Sequence, residues 1–112
     1  MPVQNWSDEI MLVDVQNDPA FSDDINSAID QIQANPDMDV VIDLSGITFL
    51  NSSNIAKLLK LRKLVKINNR RNLKLCAIST HVWGVFLVTG LDKIFDFSDD
   101  VATGLAGLHM SK

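Results

Sequence analysis

The sequence predicts an α/β fold, with a mainly parallel sheet of four to five strands and about four helices. β-Branched apolar runs alternate along the chain with segments whose apolar residues recur at helical spacing. Residues 40–44 are nearly all apolar, which is typical of a strand covered on both faces. Regular alternation of strands and helices favours parallel strands joined by helical crossovers. The 112 residues suffice for one domain, 1–112, and are too few for two.

Short apolar segments bounded by turn residues predict the strands. They are residues 3–6, 10–15, 40–44, 73–78 and 94–95. The first of them is predicted to lie at an edge of the sheet. Residues 17–19 signal a turn after the second strand, and Gly46 breaks the third.

Capping residues followed by apolar residues at helical spacing predict four helices. Their predicted caps are Ser22, the cluster 51–54, Ser79 or Thr80, and Ser98, and they end near residues 35, 68, 89 and 108. Gly90 is expected to terminate the third helix in a left-handed conformation. Arg62 and Lys66 fall within the apolar stripe of the second helix, where their stems are expected to pack while their charged ends reach water.

Composition excludes several classes of protein. No run reaches 18 apolar residues, so we expect no membrane insertion, and the first residues lack the basic and apolar segments of a secretory signal. The single cysteine, Cys76, is expected to be a small buried apolar residue in a reducing cytoplasm. No Lys-containing glycine-rich loop and no ligand-spaced His or Cys set is present. We therefore expect no metal, no cofactor and no catalytic residue.

Charge is segregated along the chain, although the net charge is only −4. Residues 1–56 contain ten acids and no base, and residues 57–74 contain eight bases and no acid. This pattern has two interpretations: a basic surface that meets an acidic partner, or a solvated helix whose charge nearby acids compensate. No aromatic residue lies in the basic stretch to stack on bases, so we expect no nucleic-acid binding.

The candidate site lies between the third strand and the second helix. In open α/β sheets, functional groups gather at the carboxyl ends of the strands. Asn51, Ser52, Ser53 and Asn54 place two hydroxyls and two amides at a helix N-terminus, which attracts anions. Simple helix capping would explain the same four residues.

Three stretches resemble the STAS domain family of anti-sigma factor antagonists. Residues 40–53, VVIDLSGITFLNSS, resemble its hydrophobic strand and the Asp-Ser-Ser/Thr-Gly start of a helix. Residues 76–79, CAIS, resemble its penultimate strand, and residues 89–95, TGLDKIF, its Gly-Leu segment before the last helix. The resemblance covers about residues 38–108. It implies a STAS-like fold.

The resemblance also implies a regulatory switch. Ser52 matches the serine that an anti-sigma factor with serine kinase activity phosphorylates and a phosphatase restores. Partner contacts are then expected at Asn51, Ser52, Ser53, Asn54, Lys57 and Trp83. Trp83 has a second interpretation, packing on the sheet. The chain departs from the family pattern at Asn51, where the family has Asp, and at Asn54, where it has Gly.

Other functions stay open at this point. A STAS domain without a working phosphorylation site would serve as a scaffold, or as an accessory subunit of a signalling or lipid-transport complex. A small serine hydrolase would need Ser52, His81 and an Asp in one triad, but no Gly-x-Ser-x-Gly segment is present. A homo-oligomer is compatible with the sequence.

Overall fold

The computed structural model describes residues 3–110 of the chain, which form one five-stranded sheet with helices on both faces. The strands are β1 (Val3–Asn5), β2 (Ile10–Gln16), β3 (Asp39–Gly46), β4 (Leu73–Cys76) and β5 (Asp96–Ser98). The helices are α1 (Ala20–Ala34), α2 (Ser52–Arg62), α3 (Thr80–Thr89) and α4 (Val101–Met110). A π-helical segment, Lys63–Asn68, continues α2, and a 3-10 turn, Leu91–Lys93, follows α3. The predicted fold class is confirmed.

The strands lie in the sheet in chain order. β1 and β2 form an antiparallel hairpin, and β2 to β5 are parallel. Because each parallel step moves in the same direction across the sheet, right-handed crossovers place α1, α2 and α3 on one face. α4 follows the last strand and returns over the other face.

Two apolar clusters hold the helices to the sheet. The larger lies under α1, α2 and α3 and contains alternate strand residues, such as Val13, Ile42 and Leu75, none of which is exposed. The smaller lies under α4 and includes Cys76 and Leu105. Successive residues of a strand point to opposite faces, so the nearly continuous apolar run 40–44 reflects burial on both sides.

The structure corrects two of the four predicted helix starts. α1 begins at Ala20 and not after Ser22; the Ser22 N–H and hydroxyl both donate to Asp18 Oδ1, at 3.1 and 2.8 Å. Asp100 and not Ser98 caps α4, because Asp100 Oδ1 accepts the Thr103 N–H at 2.7 Å. Ser98 is instead paired with Cys76 in the sheet.

Two strand predictions also change. β4 ends at Cys76 because Ala77 has a φ of 58°, a left-handed conformation that leaves the strand. β5 covers 96–98 and not 94–95; Phe95 is buried, but its N–H bonds to the Leu91 carbonyl of the preceding turn.

The predicted ends of the second and third helices are confirmed. Helical structure continues to Asn68, although its last residues are π-helical, and Gly90 ends α3 with a φ of 76°. Arg62 Nε donates to the Ile94 carbonyl at 2.9 Å, and Lys66 Nζ lies 2.9 Å from Asp96 Oδ2. The expectation that both charged ends reach water is therefore corrected in part, because each bonds to a polar group of the chain while its residue stays partly exposed.

Candidate functional site

The loops after β2 and β3 are joined at the carboxyl edge of the sheet. Asn17 Nδ2 donates to Thr48 Oγ1, and the Thr48 N–H donates to Asn17 Oδ1, both at 3.0 Å. These residues are 31 positions apart in sequence, so the bonds fix one loop against the other. The second loop leads directly to α2.

A carboxylate links the first turns of α1 and α2. Asp18 Oδ1 accepts the Ser22 N–H, while Asp18 Oδ2 accepts the Asn51 and Asn54 side-chain amides at 3.1 and 2.8 Å. We call this set, Asp18 with Ser22, Asn51 and Asn54, the Asp18 clasp. Side-chain hydrogen bonds from Ser22, Asn51 and Asn54 lower the pKa of Asp18 from 3.8 to about 2. The clasp therefore carries a full negative charge at neutral pH.

Asn51 and Asn54 also cap α2 reciprocally. Asn51 Oδ1 accepts the Asn54 N–H at 2.8 Å, and Asn54 Oδ1 accepts the Asn51 N–H at 3.2 Å. The two side chains thus satisfy two backbone donors at the helix start and still donate to Asp18. The capping interpretation of this cluster is confirmed for these two residues.

Ser52 and Ser53 are the two hydroxyl residues of the first turn of α2, and both are exposed. Within the described part of the chain, no hydrogen bond engages either hydroxyl. Neither is needed for capping, since the asparagines supply it. The Ser52 hydroxyl is therefore accessible at a helix N-terminus, where the macrodipole favours negative charge.

Asn54 requires a correction. It was expected among the partner contacts, but it is only 2% exposed and its side chain is directed at Asp18. A buried carboxamide that bonds to the helix start and to a neighbouring loop is not available to a visiting protein. We therefore assign Asn54 to the support of the site and retain exposed Asn51, Ser52 and Ser53 on its surface.

Lys57 and Trp83 lie outside the first turn of α2. Lys57 is half-buried on α2, five residues beyond Ser52. Trp83 lies in the first turn of α3, its ring edge-on to Phe97 with the centroids 4.9 Å apart. The same ring lines a cavity of about 240 Å³ with Ile78 and Phe97. Trp83 thus packs on the sheet, while its role at an interface stays a prediction.

Two residues at this edge escaped the sequence reasoning. Asp18 was assigned only to a turn, although its carboxylate organises the start of both helices. Phe49 was given no functional role, yet it is 48% exposed two residues before the α2 cap. Ile47 and Leu50 of the same apolar segment are buried, so nothing in the local sequence distinguished exposed Phe49 from them.

Several arrangements are missing from the part of the chain that the structure describes. Residues 3–110 contain no cluster of three His, Cys, Asp or Glu side chains suited to a metal ion. None of their hydrogen bonds joins Ser52 to His81, which is exposed on α3. None of the described helices is both long and apolar enough to span a bilayer.

Comparison with known families assigns the fold. The model of the STAS domain family matches residues 10–104, which include every element from β2 to the first part of α4. The chain is a member of the STAS domain family. None of the curated protein sequences compared with this STAS domain matches it.

Solved structures with the same fold support the assignment. One, from Thermotoga maritima and described as an anti-sigma factor antagonist, has a TM-score of 0.82 and 14% identity over 96% of this chain and 93% of its own. A serine-to-glutamate variant of Moorella thermoacetica RsbS has a TM-score of 0.79 and 17% identity, with 100% of both chains covered. A chain of the stressosome, a signal integration and transduction hub, has a TM-score of 0.77 and 19% identity over 96% of both chains. At these identities the similarity shows the fold.

Proposed function

We propose that this STAS domain is a regulatory partner switch controlled by phosphorylation of Ser52. In the unmodified state it would bind an anti-sigma factor that is also a serine kinase. Phosphorylation would release that partner, and a phosphatase would restore the hydroxyl. The proposal places this exchange in the cytoplasm and gives the domain no catalytic activity of its own.

The observation that carries the proposal is the exposure of the Ser52 hydroxyl at the start of α2. A kinase must reach the oxygen that it modifies, and Ser52 is exposed with no internal hydrogen bond among the described residues. Exposed Phe49 lies in the preceding loop and offers an apolar contact beside the hydroxyl. A partner that docks here would cover both.

Electrostatics explains why a phosphate would weaken such a complex. A phosphoserine adds about −1.5 to −2 charges at pH 7. Ser52 follows Asn51, whose amide already holds the ionised Asp18 carboxylate, so the added charge would lie beside an existing one. The helix N-terminus can accommodate a phosphate in the free domain. An apolar or acidic partner surface placed over it would have to exclude that charge from water.

The kinase would have to supply the chemistry of phosphoryl transfer. The Ser52 oxygen would take the γ-phosphoryl group of ATP and lose its proton to a base, and the phosphatase would later return the hydroxyl with water. Asn51 cannot be that base, because a carboxamide takes up no proton at neutral pH and both ends of this one are hydrogen-bonded within the clasp. In this proposal the partner therefore supplies both the base and the nucleotide site.

Mass spectrometry after incubation with Mg-ATP and the anti-sigma-type kinases of the same genome tests this proposal. We expect one added phosphate on the wild-type chain, the same on Ser53→Ala, and none on Ser52→Ala. Ser52→Ala should bind the kinase as wild type does, and Ser52→Asp should bind at least about tenfold more weakly, a difference of about 1.4 kcal/mol. Modification of Ser53 instead, or equal affinity for all variants, would contradict the switch.

A scaffold without phosphorylation is the second candidate. Two observations favour it. Residues 51–54 contain no carboxylate beside Ser52, and the amide of Asn51 is engaged with Asp18. The fold is also similar to that of a stressosome chain. Such a scaffold, or an accessory subunit of a signalling or lipid-transport complex, would retain its partners whether or not a kinase is present. Stable binding of the kinase with no phosphate transferred would favour this candidate.

A further inference from the structure

Helical faces of opposite charge lie side by side on the surface of the α1–α3 layer. Asp23 and Asp30 are exposed on α1, seven residues and therefore two turns apart on one face. Lys60 and Lys63 are exposed on α2 and its π-helical continuation. The segregation of charge along the sequence thus becomes a segregation between two neighbouring helices.

A groove separates these two faces. It has a volume of about 230 Å³ and is lined by Ile29, Gln33, Lys60, Lys63, Leu64 and Asn68. We call it the α1–α2 groove. Its floor is aliphatic and its rim is polar. Ile67, 57% exposed, lies on the π-helical segment between Lys63 and Asn68 and adds apolar surface beside it.

The lysines that line the groove lack the internal partners that other bases of this region have. Lys66 pairs with Asp96 at 2.9 Å, and Arg71 pairs with Asp39 at 3.1 Å. Within the described residues, neither Lys60 nor Lys63 forms an ion pair, and no ion pair joins α1 to α2. Their charges are therefore available for a partner.

The Asp18 clasp sets the two faces in register. Because one carboxylate bonds to the first turns of both helices, α1 and α2 start at the same level. At a rise of about 1.5 Å per residue, Asp30 lies about 15 Å along α1, and Lys60 and Lys63 lie about 12 and 17 Å along α2. Acid and base therefore stand at equal height on either side of the groove.

We propose that the α1–α2 groove is the interface of a symmetric dimer of this chain. A two-fold axis that runs along the groove, parallel to the helices, places α1 of each copy over α2 of the other. Asp30 of one copy then faces the second copy's Lys60 and Lys63, and the same contact forms twice. An axis across the helices would instead set like charges against each other. The chosen axis leaves both Ser52 hydroxyls exposed at the same edge, so the dimer does not depend on the proposed switch.

Charge reversal tests the interface by analytical ultracentrifugation. We expect wild type to dimerise in about 20 mM salt and to dissociate at about 0.5 M, since salt screens exposed charges. Lys60→Glu with Lys63→Glu should lower the association constant at least about tenfold, and so should Asp30→Lys. Mixing these two variants should restore a dimer, because each then offers the charges that the other lacks. Lys93→Glu, an exposed charge reversal outside the groove that matches a single lysine replacement in size, should dimerise as wild type does.

Several results would overturn this proposal. They are a monomeric wild type in low salt, an equally stable dimer in both charge-reversed variants, failure of the mixture to associate, and open assembly beyond dimers. A monomer that binds an acidic peptide, such as polyglutamate, through Lys60 and Lys63 would identify a different occupant. Circular dichroism of each variant shows whether it is folded, and the mixture reports on the interface even if one variant is less stable.

Discussion

Replacing Gly104 with alanine tests how α4 is seated on the sheet. Gly104 is buried within α4, and a Cβ atom built there would lie 2.7 Å from Cys76 Sγ. Ordinary contacts of this kind are about 3.5–4 Å, so one atom must move by about 1 Å. Cys76 is completely buried in β4, between neighbouring strands, and has no room to retreat.

Two opposing effects determine the result. Alanine is favoured over glycine in a helix interior by about 0.8–1 kcal/mol. Overpacking in a rigid core costs about 1–3 kcal/mol. We therefore expect Gly104→Ala to lower the free energy of unfolding by up to about 2 kcal/mol. Gly84→Ala, on α3 with no atom within 4 Å of the new Cβ, should raise it by about 1 kcal/mol.

Urea denaturation followed by circular dichroism measures both variants, and a double-mutant cycle identifies the cause. In a Cys76→Ala background the sulfur is gone, so Gly104→Ala should become stabilising, with a coupling energy of about 1–3 kcal/mol. If Gly104→Ala stabilises the wild-type chain as much as Gly84→Ala does, the close approach of α4 is refuted. An unchanged effect in the Cys76→Ala background would refute the assigned contact.

Two further predictions concern charged groups. The pKa of Asp18 is lowered from 3.8 to about 2, so its clasp stabilises the fold above about pH 4, and this stabilisation is lost as the pH falls towards 2. The thermal midpoint of Asp18→Asn should therefore fall less steeply across this pH range than that of wild type. Asp39→Ala removes a 1% exposed carboxylate that pairs with Arg71 and should cost about 2–3 kcal/mol in urea denaturation. Lys66→Ala, which breaks a more exposed pair, should cost less than about 1 kcal/mol, and equal losses would contradict this ranking.

Local sequence patterns predicted the alternation of strands and helices because each depends on residues close together in the chain. The nearly continuous apolar run 40–44 and the helical spacing of Ile25, Ile29 and Ile32 report burial directly, and all of these residues except Asp43 are buried. Phe95 shows the limit of this reasoning. Its apolar side chain correctly indicated burial, but burial does not specify whether the backbone bonds to a strand or to a preceding turn.

Helix starts were less predictable because the side chain that caps a helix need not be the nearest hydroxyl. Ser22 was chosen as a cap on local grounds, whereas in the structure it donates to Asp18. The same carboxylate bonds to Asn51 and Asn54, which are 33 and 36 positions away. Contacts over such separations depend on the packing of α1 beside α2, which no local pattern encodes.

The Asp18 clasp also explains both departures from the STAS pattern at positions 51 and 54. An aspartate at 51 would bring a second carboxylate to within about 3 Å of Asp18 and remove a donor from it. A glycine at 54 would remove the 2.8 Å bond to Asp18 and the acceptor for the Asn51 N–H. The two amides are therefore matched to one carboxylate on the neighbouring loop. Their presence reflects how this chain joins α1 to α2, and it leaves the hydroxyl of Ser52 as exposed as the proposed switch requires.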